Sequence, residues 1–418
     1  MSSSMLEDLV ERAEEQTRAD DRTKATALLR AAVDGATADL QRKPTQRTRA
    51  LRAVAAYQLA TLLLQESATV KEGDALVWRL GFRLRLADGA LRYGGPATPR
   101  AGRRQAAAPR CVGVLDGALG AANRAAAARI FGAGAPYWDA EAGGGFHSHS
   151  VPLDDASPLG ALLRAMQPAV VAAAPAAAAA RTCEVWAHAR ENDGAHQLHY
   201  DLDERALRSS GETRSPLVSS VYYLETIGDG GAPTMVFERR LGDTTGAEVA
   251  AWLCAPAIDR LFAFDGSLLH CVVPPRVAPP ASPGARRVTI MVGWWGPNVT
   301  VGPADEPGPC RAPGAHRDAW LPEAAEFVAP PPTAAVSDPP RLTAAWRRVK
   351  GPAAAFGDLV SPEVVHAGRF FLRDDPSEID RNVLEATPKP VAAVEYVDLA
   401  SLLAAPSPAP AKKKRRRK

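Results

Sequence analysis

Three features of the sequence predict an α+β fold: a double-stranded β-helix (jelly roll) with supporting helices, preceded by a helical N-terminal region. Up to Leu63, apolar residues recur at helical spacing. From Cys111 to Trp295, helical stretches give way to short β-like runs separated by Gly, Pro and Asp turns. Beyond Trp295 the chain turns proline-rich and ends in low-complexity sequence. The expected organisation is a helical region over 1–95, a linker over 96–110 and a jelly-roll domain over 111–300. A partly ordered C-terminal extension over 301–403 and a disordered basic tail over 404–418 complete it.

The first helix should open at Ser4, because Ser4-x-x-Glu7 is a capping-box pattern and Leu6, Leu9, Val10 and Ala13 follow at helical spacing. A second runs from about Thr23 to Gln41 and stops before Pro44, which cannot continue it. A third carries Leu51, Val54, Ala55, Leu59, Leu62 and Leu63 on one stripe. Two amphipathic helices across a proline turn suggest a hairpin, read as a helical cap or as one degenerate tetratricopeptide-like unit. No second copy supports a solenoid. Leu80–Leu86 alternates apolar and basic residues, which suits strand or helix, and Pro96–Arg110 has linker composition. Val112–Leu115 then reads as a strand, and Gly120–Phe131 and Pro158–Val171 as helices. Further strands are expected over Cys183–Ala189, Leu217–Leu224, Thr234–Phe237, Arg260–Phe264, Leu268–Val273 and Arg287–Trp295, with Glu204–Ser215 a loop.

Composition excludes several classes. The net charge of +3 includes seven cations at Lys412–Lys418, so the body carries −4. A general nucleic-acid binder would spread basic charge over its fold, so only the tail suits nucleic acid. Five scattered cysteines without a C-x-x-C pair argue against a disulfide framework or zinc cluster and for a reducing compartment. The first residues lack the basic start and apolar core of a secretory signal. Ala161–Ala180 is mostly alanine and is interrupted by Arg164, Pro168 and Pro175, too weakly apolar to span a bilayer. No membrane partner is expected.

The chemistry-bearing residues are His199-Tyr200-Asp201, the distant His270 and Arg287-Val288-Thr289. In an extended segment residues i and i+2 point the same way, so His199 and Asp201 can approach one ion while Tyr200 points elsewhere. Two histidines and one carboxylate on one face of a metal leave its other positions open, the arrangement of non-haem Fe(II) sites. A following arginine supplies a planar cationic fork suited to a carboxylate.

These residues, with Tyr222-Tyr223-Leu224 and Gly230-Gly231-Ala232-Pro233-Thr234 between them, occur in an order that resembles a known family. From about Cys111 to Pro297 the chain is similar to the 2-oxoglutarate/Fe(II) dioxygenase superfamily, nearest to its prolyl-hydroxylase-like branch. The resemblance implies that His199, Asp201 and His270 bind Fe(II), that Arg287 binds the distal carboxylate of 2-oxoglutarate, and that Tyr223 hydrogen-bonds the same co-substrate. The insertion Pro279–Gly284 departs from the family and makes Arg286 a competitor for Arg287. Alternation favours Arg287, which shares a strand face with Thr289, whose hydroxyl could add a second contact. The implied activity is hydroxylation of a C–H bond of a protein or peptide, a prolyl side chain first, yielding succinate and carbon dioxide, with ascorbate as an accessory reductant. Asp201 fills the third protein position and so disfavours halide binding. Two other readings stand beside it: a catalytically silent jelly roll used as a binding scaffold, and an oxygenase acting on a nucleic-acid base or small metabolite.

Other residues have plainer readings. His196 could form a His-x-x-His zinc pair with His199, but no cysteine stands near enough to complete a structural site, so a supporting or exposed role is expected. His188 reads as a sheet-face or core histidine, His147 and His149 as loop residues near the active-site rim, and Trp294 and Trp295 as packing residues.

The run Lys412–Lys418 has the form of a nuclear import signal, pointing to a nuclear or nucleo-cytoplasmic protein that partners an import receptor; a solvated tail is the plainer reading. It follows a proline-rich stretch that cannot form a packed element. Truncation after Ala405 should leave metal binding intact and move a fluorescent fusion out of the nucleus. A truncated fusion that stays nuclear would refute the address.

Overall fold

Ser2, not Ser4, opens the first helix, α1 (Ser3–Arg18), its Oγ accepting from the Met5 N–H at 3.3 Å. Three consecutive serines offer equivalent caps, and the earliest lengthens the helix. Asp21 caps α2 (Arg22–Arg42) through the Lys24 N–H at 3.1 Å, and Thr45 caps α3 (Gln46–Leu63) through the Thr48 N–H at 3.1 Å. A fourth helix, α4 (Val70–Arg79), was not anticipated: it carries a glycine, Gly73, in its interior, and Thr69 makes no side-chain cap to mark its start. Each of the four packs on the next.

The computed structural model describes residues 2–19, 21–64, 68–82, 84–87, 111–141, 147–190, 196–227, 232–243, 248–273, 286–329, 335–349 and 371–372. The segments 96–110, 230–231, 279–284 and 404–418 lie outside them. Contacts divide the chain into two compact units, Met1–Phe82 falling in the first and Arg83–Arg348 in the second.

The second unit combines helices with antiparallel sheets. Its elements are β1 (Leu84–Leu86), β2 (Val112–Asp116), α5 (Gly120–Phe131), α6 (Tyr137–Ala140), β3 (His149–Pro152), α7 (Pro158–Ala173), β4 (Thr182–Arg190), β5 (His196–His199), α8 (Glu204–Ser210) and β6 (Val218–Glu225). They continue with β7 (Thr234–Arg240), β8 (Ala251–Cys254), β9 (Arg260–Asp265), β10 (Leu268–Val272), β11 (Arg287–Trp295), α9 (Ala315–Trp320), β12 (Arg341–Leu342), β13 (Trp346–Arg348) and β14 (Phe371–Leu372). One sheet has the order β2-β9-β6-β11-β4-β3, a second β12-β8-β7-β10-β5, and a small third β13-β1-β14. Leu80–Leu86 thus resolves into a strand only over its last three residues.

The expected loop at Glu204–Ser215 instead begins with α8. Asp203 Oδ1 accepts from the Ala206 N–H at 2.9 Å, and Gly211 closes the helix at φ 73°, a conformation glycine adopts without penalty. Seven residues are too few for periodicity to betray a helix. His149 is likewise no loop residue but the first residue of β3.

Strand alternation sorts the larger sheet into two faces. Val185 and Ala187 of β4, Val288, Ile290 and Val292 of β11, and Tyr222 and Leu224 of β6 join Leu159, Leu162, Leu163, Met166 and Val170 of α7 in one core. Those five helix positions recur at three- and four-residue spacing, and each fully buried side chain contributes about 1.5–3 kcal/mol. The opposite face meets the second sheet, where Tyr223, Phe262 and Phe264 pack with Val236, Trp252 and Leu268. Gly113 of β2 lies so close to α7 that a Cβ would meet the Ala173 carbonyl oxygen at 2.8 Å. Among the described residues no helix is long and apolar enough to cross a membrane, and all five cysteines are free.

Asp259 ties helix to sheet from a left-handed backbone position, φ 60°. Its carboxylate accepts from the Leu119 and Gly120 N–H groups, both at 2.9 Å, and from the Tyr222 hydroxyl at 2.8 Å. It thereby supplies the cap that Leu119 cannot give to α5. Asp259→Ala should lower unfolding free energy by about 2–3 kcal/mol, read from denaturant melts. A loss below about 0.5 kcal/mol would refute the capping role.

Candidate metal centre

The triad is assembled by register. His199 ends β5 directly opposite His270 of the antiparallel β10. Leu198, Tyr200 and Leu202 turn into the apolar layer behind the sheet, so His199 and Asp201 face the other way. Asp201 Oδ1 lies 3.7 Å from His199 Nε2 and 3.5 Å from His270 Nε2, and the two rings are 4.1 Å apart. The three donor atoms fall within 4.8 Å of one another, and among the described residues this is the group that could hold a metal ion.

Neighbours orient these donors. His270 Nδ1 donates to the Leu268 carbonyl at 2.9 Å, which leaves its Nε2 as the ligating atom. Phe264 lies against the same ring, centroids 5.0 Å apart. Ser219 Oγ donates to Asp201 Oδ2 at 2.6 Å, leaving Oδ1 to the histidines. Burial would push the Asp201 carboxyl up, but His270, His199 and Ser219 outweigh it and hold it at about 2. The carboxylate is therefore ionised and ready to bind a cation.

The triad opens into a cavity of about 630 Å³, a volume that includes open solvent at its mouth. Trp186, His188 and Arg190 of β4 stand opposite Met291, Thr289 and Arg287 of β11, and all six line it. Arg287 is buried and donates from Nη1 to the Ala232 carbonyl at 2.9 Å. Arg286 is not among the lining residues. Tyr223 lines the wall with its hydroxyl 2.8 Å from Thr234 Oγ1, and Thr289 is its cross-strand neighbour. His196 is half-buried: its ring packs edge-on against His199 at 4.8 Å and its Nδ1 accepts from Arg190 Nη2 at 3.1 Å. Burial, with Arg190 and Arg287, depresses His188 to about 3; burial, with His199 and His188, holds His196 well below its ordinary value. Both rings are neutral.

Sequence reasoning missed Ser219, Arg190, Trp186 and Met291. The alternation Trp186-x-His188-x-Arg190 was visible, but only pairing with β11 reveals that it faces the metal site. Trp294 packs in the helix-side core and donates to Ser220 Oγ at 2.9 Å. His149 is not at the cavity rim: it meets Glu141 Oε1 at 3.2 Å, which His316 Nε2 also approaches at 2.9 Å, and none of the three lines the cavity.

No protein-family model matches the sequence, and neither does any curated protein. Among solved structures, the chain is similar to an oxidoreductase of the 2OG-Fe(II) oxygenase family from Burkholderia pseudomallei, at 15% identity and a TM-score of 0.18. The match covers 28% of this chain and 47% of that one, about half its length. A likeness this slight neither supports nor excludes a shared fold.

Glu184 lies on the same face of β4, two residues before Trp186, and accepts from Ser148 Oγ at 2.5 Å. Burial first, and then the Asp201 carboxylate, push it up to about 8. Because the folded value exceeds the ordinary 4.5, the stability held by its protonated form is complete below about pH 4.5 and is lost as pH rises through about 8. Wild type should therefore lose stability relative to Glu184→Gln across that window. Denaturation midpoints of the two proteins that run parallel from pH 4.5 to 8 would refute this.

Proposed function

We propose that the unit containing Arg83–Arg348 is an Fe(II)- and 2-oxoglutarate-dependent dioxygenase that hydroxylates a C–H bond. One observation carries the reading: two imidazole donors and one ionised carboxylate converge at a cavity whose wall also carries a buried arginine. Two histidines and one carboxylate leave open positions, which suits Fe(II). Strand order supports a double-stranded β-helix as the scaffold, since β6, β9 and β11 lie in one sheet while β7, β8 and β10, between them in sequence, lie in the other.

His199, Asp201 and His270 would hold the iron, which when bound activates dioxygen as 2-oxoglutarate is decarboxylated to succinate. Arg287 offers its guanidinium to the distal carboxylate of 2-oxoglutarate, with Thr289 beside it on the same face. Ser219 and the Leu268 carbonyl keep Asp201 and His270 in ligating orientation. Trp186, Phe264 and Met291 give the cavity apolar walls that limit water. A protein prolyl side chain is the proposed substrate, on the strength of the sequence order of H-x-D, Tyr-Tyr-Leu, Gly-Gly and the distal histidine. The tail at 412–418 is proposed as a nuclear address for the same enzyme.

The protein should bind one Fe(II) per chain and release succinate from 2-oxoglutarate in the presence of ascorbate and prolyl peptide pools. His199→Ala and His270→Ala should lose the metal, and Arg287→Ala should weaken 2-oxoglutarate roughly thirtyfold or more. Full iron occupancy in both histidine variants, or no succinate with any pool, would sink the reading.

A further inference from the structure

The cavity wall is ordered in rows. Trp186 and Met291, then His188 and Thr289, then Arg190 and Arg287 face each other across β4 and β11. Beyond Met291 comes Gly293, whose partner on β6 is Ser219, the donor to Asp201. The triad therefore sits toward one end of the wall, and Arg287 lies at the other. Thr289 also stands opposite Tyr223 of β6, so His188, Thr289 and Tyr223 form one row across three strands. All three line the cavity, one pleat repeat from Arg287, roughly 7 Å along the strand. A ligand reaching from the triad to Arg287 must cross this row.

The row is polar and uncharged. The Tyr223 hydroxyl is engaged with Thr234 Oγ1 at 2.8 Å. His188 is half-buried, its ring 5.6 Å from that of His196, and among the described residues it has no hydrogen-bond partner. Burial first, then Arg190 and Arg287, keep the ring neutral by holding it at about 3. A neutral imidazole offers one N–H donor and one bare nitrogen. Leaving such a group unpaired in an enclosed wall costs stability, which an acceptor on a ligand offsets.

We propose that His188 donates a hydrogen bond to the distal carboxylate of the 2-oxo acid and, with Thr289 beside it, gauges the length of that ligand. The inference rests on the proposed co-substrate. Where the chain brings its carboxylate over the row, one oxygen meets His188 and Thr289 while Arg287 takes the carboxylate from the far side. One added methylene carries the carboxylate past the row, so it keeps Arg287 and loses the imidazole. A bond from a neutral N–H to a carboxylate is strengthened by the anion yet weakens steeply with distance and angle. Its contribution therefore depends on where the carboxylate lies. His188 is thus a specificity-determining residue, and its effect belongs to binding.

Anaerobic titration of the Fe(II)-loaded protein with 2-oxoglutarate and with 2-oxoadipate, one methylene longer, followed by calorimetry, tests the gauge without turnover. Wild type should prefer 2-oxoglutarate about tenfold or more. His188→Phe, which keeps a ring but has no N–H, should weaken 2-oxoglutarate about tenfold and leave 2-oxoadipate nearly unchanged. His188→Leu repeats the test if the phenylalanine variant fails to fold, and His188→Gln, which keeps an N–H, should restore part of the preference. An unchanged ratio of the two affinities in either N–H-free variant that folds overturns the gauge, as does equal binding of the two acids by wild type. If Arg287→Gln abolishes 2-oxoglutarate binding while His188→Phe leaves it unaltered, the proposed function survives and the gauge does not. No 2-oxoglutarate binding by wild type would overturn both.

Discussion

The register of β11 between β4 and β6 is the constraint on which the second unit depends. Val288, Ile290 and Val292 are buried against the helices, and the residues that alternate with them, Arg287, Thr289 and Met291, are thereby turned to the cavity. A slip of one residue would exchange the two sets, placing an arginine and a threonine in the helix-side core. Each buried aliphatic side chain contributes about 1.5–3 kcal/mol, so the hydrophobic layer fixes where the guanidinium points. Packing on one face specifies chemistry on the other.

That same arrangement gathers charged groups on one wall. Two arginines stand opposite each other, and an ionised aspartate is enclosed nearby. Burial limits the damage by keeping His188 and His196 uncharged, so four imidazoles can line one cavity without four more cations. Local rules broken inside an otherwise consistent fold mark a functional site. Here the breaks coincide with the wall that faces the triad.

Elements with strong local signals were legible in the sequence. Gly120–Phe131 and Arg287–Trp295 match α5 and β11 to the residue, because glycine or basic starts and long apolar patterns delimit them. Strand β8 and helix α8 were not legible, being four and seven residues long, too short for periodicity to rise above composition. At the site, His199 and Asp201 share a face by alternation alone, which sequence shows. Ser219 and Arg190 depend on which strands become neighbours, and nothing local to Trp186-x-His188-x-Arg190 says that β11 will lie beside it. The same limit misplaced His149, which shares its carboxylate partner, Glu141, with His316 of α9, far along the chain.

Among the described residues two clusters of histidine gather around a carboxylate, and their surroundings separate them. At Glu141, His149 and His316 converge on one carboxylate oxygen, but Arg311 Nη1 lies 3.9 Å from the other. A fixed cation there already neutralises the carboxylate and would repel a metal ion. At Asp201 the second oxygen is met by the Ser219 hydroxyl, a neutral donor that orients the carboxylate without cancelling its charge. Two imidazole donors and one full negative charge then face the same point, which suits a dication. What distinguishes a ligand set from a salt bridge here is the charge of the residue standing behind the carboxylate.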